Sequence, residues 1–285
     1  MTTLLVLVSA FLHAAWNALL KRETDKDRVL VAAVAVGALL AIAVATTRAV
    51  AGGEVPFPTA ASFGWAIVAG GCEQLYFLAL ARALERGPLG PVYTISRGGA
   101  VVVVYPLSVL LFHELVTGSS LAGAALVVLG LVLSGLPTPG AARGRALTSS
   151  ATLLAIGCAF AIAAYHLAYK AAMDAGGASS AVFAASLTFA SAINVVRSGQ
   201  DGRRAIAALV RTRWRRILVM GCLCGGSFLL LIEALATGGA GYALTLRNTS
   251  VLFALGLAWA LGERPRVATA VGALLVAAGA IAMAA

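Results

Sequence analysis

Long apolar stretches of about 20 residues alternate with short polar segments along the whole chain. A helix of about 20 apolar residues is long enough to cross a bilayer. Charged residues, prolines and paired glycines fall mostly between these stretches, where they supply turns and charge. The pattern predicts ten membrane-spanning helices, over residues 2–20, 29–47, 61–82, 89–112, 118–136, 149–170, 178–196, 217–236, 241–261 and 267–285.

One long polar connection lies between the seventh and eighth predicted spans. It is the segment "RSGQDGRRAIAALVRTRWRR", residues 197–216, which holds seven arginines. Its charge excludes it from the bilayer, and we expect a loop there. The joins at 82–90 and 112–118 leave almost no loop between consecutive helices.

The second half of the sequence repeats the first at an offset of 149 residues. Residues 4–21 and 153–170 are identical at seven of 18 positions, and Trp16 aligns with Tyr165. With a slip of one residue, the same offset aligns Arg97 with Arg247. We therefore predict a first five-helix repeat over residues 1–137, a linker over 138–148 and a second five-helix repeat over 149–285.

An odd number of spans in each repeat forces the second repeat to enter the membrane upside down. The predicted fold class is an all-α integral membrane protein, with ten transmembrane helices arranged as two inverted five-helix repeats. Inverted repeats are typical of secondary transporters, in which the substrate site lies near the bilayer midplane between the two halves.

Composition excludes a soluble protein. The chain is 61% apolar and 11% charged, whereas a soluble domain carries about 25% charged residues. The net charge of +10 does not indicate nucleic-acid binding, because the basic residues lie in short loops between apolar spans. The four cysteines fall inside apolar spans without metal-ligand spacing, so we expect no cofactor and no metal.

The loop charges predict an orientation. Of the 21 Lys and Arg residues, 17 fall in the loops of one side, which the positive-inside rule places in the cytoplasm. Both termini then face outward. The 17 residues are Lys21, Arg22, Lys26, Arg28, Arg82, Arg86, Arg143, Arg145, Arg197, Arg203, Arg204, Arg211, Arg213, Arg215, Arg216, Arg264 and Arg266.

Arg97 and Arg247 lie inside predicted spans four and nine. An arginine at the centre of a membrane helix costs about 2.5–3.5 kcal/mol on insertion scales, so it is retained for a reason. One hypothesis is a pair of charges that bind an anion or act as gates, since guanidinium groups donate to carboxylate or phosphate in a planar, bidentate way. The other is that each arginine ties helices together through an acidic side chain or backbone carbonyls.

Glu73 is a carboxylate in the middle of predicted span three. It can accept a coupling proton or contact an amine, or it can simply neutralise Arg97. Asn17 and His166, on polar stripes of spans one and six, and Tyr93, Tyr242 and Asn248, beside the two arginines in sequence, complete the predicted substrate-binding or gating residues.

Other polar residues favour structural roles. Lys21 and Lys170 lie near span ends, where lysines snorkel. Glu114 and Glu263 end spans four and nine and indicate solvated or capping carboxylates, and Glu233 is a structural partner for Arg247. Glycine rows in spans five and ten predict packing faces, which leaves lateral supports and a homodimer surface as alternatives.

Several motifs together resemble the EamA type of the drug/metabolite transporter superfamily over essentially the whole chain. They are "HAAWNALLKRETDKD", "YFLALARALERGPLGPVYTISRG" followed by "LLFHE", and "LALGERPRVATAVGALLVAAGAIAM". The resemblance implies a ten-helix carrier of the plasma membrane that moves small metabolites by alternating access, often outward. Many relatives keep both termini in the cytoplasm, whereas the loop charges here predict the reverse.

These patterns predict a secondary active transporter for a small anionic or zwitterionic metabolite, rather than an enzyme. The sequence holds no HExxH motif, no nucleophile elbow and no P-loop. The predicted partners are a small-molecule substrate, the lipid bilayer and a coupling proton, without nucleic acid. The alternative is an exporter of cationic drugs or amines that uses Glu73.

Overall fold

The computed structural model describes residues 2–112, 117–135, 148–237, 246–264 and 266–284, and these are helical throughout apart from short connections. Tyr242 and Glu114 lie outside the described residues. The described helices are α1 Thr2–Lys21, α2 Lys26–Gly52, α3 Ala60–Arg86, α4 Leu89–Phe112, α5 Gly118–Gly135, α6 Ser149–Asp174, α7 Ser179–Arg197, α8 Gly199–Thr237, α9 Ser250–Ala260 and α10 Val267–Ala284.

Every predicted span corresponds to one of these helices, but the predicted loop over 197–216 is wrong. Helix α8 begins at Gly199, and its first part runs outside the apolar span. Arginine, alanine and leucine are strong helix formers, so the charge that excludes this segment from the bilayer does not prevent helix formation. At Arg213 the backbone leaves the helical region (φ −128°, ψ 24°) and separates the basic part from the apolar part.

The distribution of polarity is that of a multi-pass membrane protein. Six helices, α1, α2, α3, α6, α7 and α8, are long and apolar enough to cross a membrane, and shorter apolar helical stretches accompany them. Large apolar side chains such as Leu39, Leu75, Leu153 and Trp259 point outward with more than 60% of their surface exposed. Several charged and amide side chains are buried instead, as expected for a bundle surrounded by lipid.

Helix α3 packs mainly on α6 and α7, and α8 packs mainly on α1 and α2. Helix α4 packs on α6, α9 on α1, α2 on α7, and α5 on α10. The last pair is closely apposed at two glycines: a Cβ at Gly130 would overlap the carbonyl oxygen of Gly272, and one at Gly279 would lie 2.5 Å from that of Gly123. The glycine rows therefore pack helices within the chain, as predicted.

Polar contacts bridge helix ends at both ends of the bundle. At one end the carboxylate of Glu23 accepts a hydrogen bond from Arg213 (3.0 Å) and forms an ion pair with Arg216 (2.5 Å), joining the α1–α2 connection to α8. At the other end the amide of Ala178 donates to the carbonyl of Pro56 (3.0 Å), and the Thr59 hydroxyl donates to that of Ala175 (2.9 Å). These contacts join the α6–α7 connection to the segment before α3.

Candidate functional site

Arg97 and Arg247 converge on one buried imidazole, that of His13 in α1. Nη2 of Arg97 contacts Nε2 of His13, and Nη2 of Arg247 lies 3.0 Å from Nδ1 of the same ring. All three side chains are at most 3% exposed. The sequence repeat pairs the two arginines, and the structure brings both to one point between α1, α4 and the segment before α9.

Aromatic rings enclose the two guanidinium groups. Cζ of Arg97 lies 5.9 Å from the ring centroids of both Tyr76 and Tyr93, and Cζ of Arg247 lies 4.5 Å from that of Phe228. Cation–π attraction at such distances stabilises a desolvated cation by about 1–2 kcal/mol. This attraction offsets only part of the cost of burying the two guanidinium groups, because an aromatic ring interacts weakly with a cation and carries no negative charge.

No carboxylate of the described residues lies within ion-pair distance of either guanidinium. The expectation that Glu73 neutralises Arg97 is therefore wrong, because Glu73 pairs with a hydroxyl instead. The expected pair of Glu233 and Arg247 is also wrong, since Glu233 accepts from Arg48 at 2.7 Å. The arginines thus form a site with an excess of positive charge.

Glu73 lies at the end of a short chain of hydroxyl groups. The Tyr169 hydroxyl donates to Oγ of Ser186 (3.0 Å), which donates to Oε2 of Glu73 (2.8 Å). Helices α3 and α7 cross closely here, because Gly70, one turn before Glu73, has no side chain. A Cβ at this position would overlap the backbone of Ser186. The glycine thus allows the hydroxyl of α7 to reach the carboxylate of α3.

The remaining predicted site residues that the structure describes are buried in the same bundle. Asn17 donates to the carbonyl oxygen of His13 (2.7 Å) within α1, and Nδ1 of His166 lies 2.7 Å from the carbonyl oxygen of Ile162. The His166 ring stacks on Tyr165 with centroids 4.3 Å apart. Asn248, next to Arg247, is 8% exposed.

Several buried polar atoms around the arginines have no hydrogen-bond partner among the described residues. Such atoms are costly in a folded protein unless a ligand or water satisfies them. Two of these atoms are phenolic hydroxyl oxygens, one is a guanidinium nitrogen and one is an oxygen of the Glu73 carboxylate. The atoms closest to this site are Oη of Tyr93, Oη of Tyr165, Nε of Arg247, Nε2 of His166, Oδ1 of Asn17 and Oε1 of Glu73.

Three of the residues predicted to be structural, Lys21, Lys170 and Glu263, contact protein groups at helix ends in the described structure. Nζ of Lys21 donates to the carbonyls of Leu84 and Gly87 at the end of α3, and Lys170 pairs with Asp174. Oε2 of Glu263 accepts from the amide of Leu89 (3.0 Å), so this carboxylate caps the N-terminus of α4. A negative charge at this position also complements the helix dipole.

A lateral groove of about 590 Å³ between α2, α3 and α7 is lined by side chains such as Ile42, Phe57, Phe63 and Phe189. It contains none of the predicted site residues and carries no ionisable side chain. The groove therefore has no chemistry for recognising a polar metabolite. The described residues also contain no group of three His, Cys, Asp or Glu side chains that could hold a metal ion.

Sequence reasoning did not include His13 among the site residues, although it lies one turn before Asn17 on the same polar stripe. The repeat gives no signal for it, because the offset of 149 aligns His13 with Ile162. Ser186 and Phe228 were missed entirely, since a serine and a phenylalanine are ordinary residues of an apolar helix. Only the packing of α7 and α8 shows that they contact Glu73 and Arg247.

Comparisons with known proteins agree with this architecture. One crystal structure matches with a TM-score of 0.66 at 17% identity, covering 99% of this chain and 95% of that one, and at this identity it shows the fold alone. No curated protein matches the chain. The model of the EamA-like transporter family matches residues 149–285. The second half of the chain therefore resembles the EamA-like transporter family, which belongs to the drug/metabolite transporter superfamily of membrane transporters.

Proposed function

We propose that this chain is a secondary active transporter that moves a small anionic or zwitterionic metabolite outward across the plasma membrane by alternating access. The observation that carries the proposal is the convergence of Arg97 and Arg247 on His13 without a carboxylate partner among the described residues. Its outward direction and plasma-membrane location rest on the family resemblance alone.

Electrostatics favours an acidic substrate group at this site. Two buried cations repel each other, and removing each from water costs several kcal/mol unless an anion compensates. A substrate carboxylate or phosphoryl group supplies the missing charge and accepts bidentate hydrogen bonds from guanidinium. Binding energy of this kind is available only for anions, so it selects against neutral and cationic solutes.

The helix contacts support two inverted repeats, 1–137 and 149–285, joined by the linker 138–148. The two repeats pair α1 with α6, α2 with α7, α3 with α8, α4 with α9 and α5 with α10. When each helix is exchanged for its counterpart, the packing of α3 on α6 becomes the packing of α8 on α1. Likewise α4 on α6 becomes α9 on α1, and α2 on α8 becomes α7 on α3. The pairs α2–α7 and α5–α10 exchange with themselves, as a two-fold relation requires.

The contacts that bridge the helix ends also exchange under this relation. The α1–α2 connection binds the start of the apolar part of α8, and the α6–α7 connection binds the segment before α3. We infer that these are the two gates of an alternating-access cycle. Because the candidate site residues are at most 8% exposed, a substrate reaches them only when one gate opens.

Glu73 is the proposed site of the coupling proton. Its Oε1 has no partner among the described residues, while Oε2 accepts from Ser186. The unsatisfied oxygen is also the observation that favours the alternative function, export of a cationic drug or amine. In that case the ammonium group of the substrate, rather than a proton, binds Oε1.

The orientation proposed from the loop charges places both termini outside. The contacts of Glu23 with Arg213 and Arg216 then form the cytoplasmic gate. The glycine rows of α5 and α10 pack against each other within the chain. A homodimer interface, the alternative role of these two helices, would therefore use their outer surfaces.

Counterflow into liposomes separates these functions. Purified protein is reconstituted with unlabelled solute inside, and the uptake of the same labelled solute is followed for a panel of carboxylates, phosphorylated metabolites, zwitterions and amines. Saturable counterflow restricted to acids and zwitterions supports the proposal. Counterflow restricted to amines contradicts it in favour of the cationic alternative, and the Glu73→Gln variant then abolishes that counterflow.

A further inference from the structure

Both ring nitrogens of His13 face N–H donors that cannot accept. Nδ1 faces Nη2 of Arg247 at 3.0 Å and Nε1 of Trp16 at 3.3 Å, and Nε2 faces Nη2 of Arg97. The Ser227 hydroxyl also lies 3.4 Å from Nδ1, where it can accept from a ring N–H. Guanidinium and indole groups only donate, whereas a neutral imidazole has a single acceptor nitrogen. At least one guanidinium therefore faces a ring N–H, whichever tautomer forms.

The contacts decide which tautomer leaves fewer mismatches. If Nδ1 is the acceptor, it satisfies both Arg247 and Trp16, and Nε2–H can donate to the Tyr76 hydroxyl, whose oxygen lies 3.4 Å away. The remaining mismatch is the pair of Arg97 and Nε2–H. The opposite tautomer leaves two donors, Arg247 and Trp16, facing a ring N–H. A protonated ring faces donors on both sides.

More unsatisfied donors surround this mismatch. The hydroxyls of Tyr93 and Tyr165 have no partner among the described residues, and both rings are at most 1% exposed. Tyr93 packs against His13 with ring centroids 6.2 Å apart, and Tyr165 lies within Coulombic range of Arg97. Arg97 and His13 thus lie among tyrosines whose hydroxyls lack partners, and no carboxylate of the described residues lies within ion-pair distance of Arg97.

We propose that an oxyanion of the substrate, a carboxylate or phosphoryl group, displaces the direct contact of Arg97 with His13 and accepts hydrogen bonds from the guanidinium and from Nε2–H. His13 is then a specificity-determining residue of the site, with the hydroxyls of Tyr93 and Tyr165 as further donors. The inference rests on the proposed function, since it concerns the same pair of arginines. It adds that the ligand group needs several directional acceptors, which a halide lacks.

The test is the thermal stabilisation of purified protein by simple oxyanions. Inorganic phosphate and acetate are titrated against sodium chloride at constant ionic strength, and the midpoint of unfolding is followed. We expect saturable stabilisation by at least one oxyanion relative to chloride, and the stronger probe identifies phosphoryl or carboxylate as the preferred group. Equal midpoints in all three salts contradict both this inference and the proposed anion site.

Variants of His13 separate the inference from the proposed function. His13→Leu removes both ring nitrogens, and we expect it to weaken the apparent affinity for the oxyanion about 10- to 100-fold, as for a lost charge-assisted hydrogen bond. His13→Gln places an amide N–H near the position of Nε2 and restores part of the affinity. If His13→Leu keeps the wild-type response while Arg97→Gln loses it, His13 is only a packing residue and the anion site stands.

Asn194→Leu is the matched control, because it removes the buried hydrogen bond between Gln74 and Asn194 without touching the arginines. It retains the oxyanion response whatever its effect on stability. If His13→Leu does not fold, Trp16 reports instead, in a variant that replaces the exposed Trp65, Trp214 and Trp259 by phenylalanine. Oxyanion binding beside His13 changes the emission of Trp16 saturably, and an emission independent of the oxyanion contradicts the inference.

Discussion

At the scale of single residues, the site is a balance between unfavourable burial and functional need. Arg97 and Arg247 contact the same imidazole. Their other close neighbours are aromatic rings and, for Arg247, the carbonyl oxygen of Ser227 at 3.5 Å. Like charges held apart by one ring in a medium of low polarity repel by several kcal/mol. A protein that keeps such a pair without internal compensation stores unfavourable energy that a bound anion releases.

Removing either guanidinium should therefore not destabilise the unliganded protein. We predict that Arg97→Gln and Arg247→Gln each unfold at the same temperature as the wild-type protein or at a higher one, because each substitution removes one of two repelling charges. Differential scanning fluorimetry in detergent without added oxyanion measures this. A marked loss of stability in both variants contradicts the view that the arginines are kept for binding and favours the helix-tying hypothesis.

At the scale of helices, the sequence predicted positions well and contacts poorly. The ten spans follow from apolar length, and the cap formed by Glu263 follows from its place at a span end. The early start of α8 was not predictable from charge, since a basic segment outside the bilayer folds as a helix as readily as it forms a loop. The pairing of Arg48 with Glu233 depends on how α2 packs beside α8, which no local pattern specifies.

The contact between the α1–α2 connection and α8 gives a prediction at this scale. Glu23→Gln removes a buried carboxylate that forms ion pairs with Arg213 and Arg216. We expect faster amide hydrogen exchange in residues 22–25, because the connection loses its hold on α8. Asp25→Asn is the control, since it breaks an exposed ion pair with Arg28, while an asparagine at this N-cap position can still accept from the Arg28 amide. Equal exchange in Glu23→Gln and wild type shows that this contact does not close the gate.

The close packing of α5 and α10 gives a second prediction at the scale of helices. Gly130→Leu forces a side chain into the backbone of α10, so we expect loss of folded protein or a large drop in the unfolding temperature. Gly157→Leu is the matched control, because a Cβ at Gly157 in α6 meets no atom within 4 Å. Normal folding of Gly130→Leu means that α5 and α10 are not closely packed in the native protein.

At the scale of the whole molecule, three properties of the chain support a transporter. Its outside is apolar, its centre holds two cations without a carboxylate partner among the described residues, and its helix contacts are those expected of two inverted repeats. Sequence repeats predicted the pairing of the two arginines but not their meeting at His13, since depth along two antiparallel helices does not fix lateral position. The match of residues 149–285 to a transporter family suggests the class of function but not the substrate.

The proposed orientation is testable by fusion of a reporter that is active only in the cytoplasm. We predict an inactive reporter when it is fused after Ala285 and an active one when it is inserted after Gly144, because 17 of the 21 basic residues lie on the side of the linker. An active reporter at Ala285 reverses the orientation and turns the contact of Glu23 into the outer gate.

The central claim is that Arg97 and Arg247 together bind the acidic group of a transported solute. It is tested most directly by liposome counterflow of an acidic substrate through wild-type protein, Arg97→Gln, Arg247→Gln and the control Arg48→Gln, all shown to be folded. The account predicts that each central variant loses counterflow by about 100-fold or more, as for a lost charge-assisted contact of about 3 kcal/mol, while Arg48→Gln retains it. Wild-type counterflow through either folded central variant would contradict the claim.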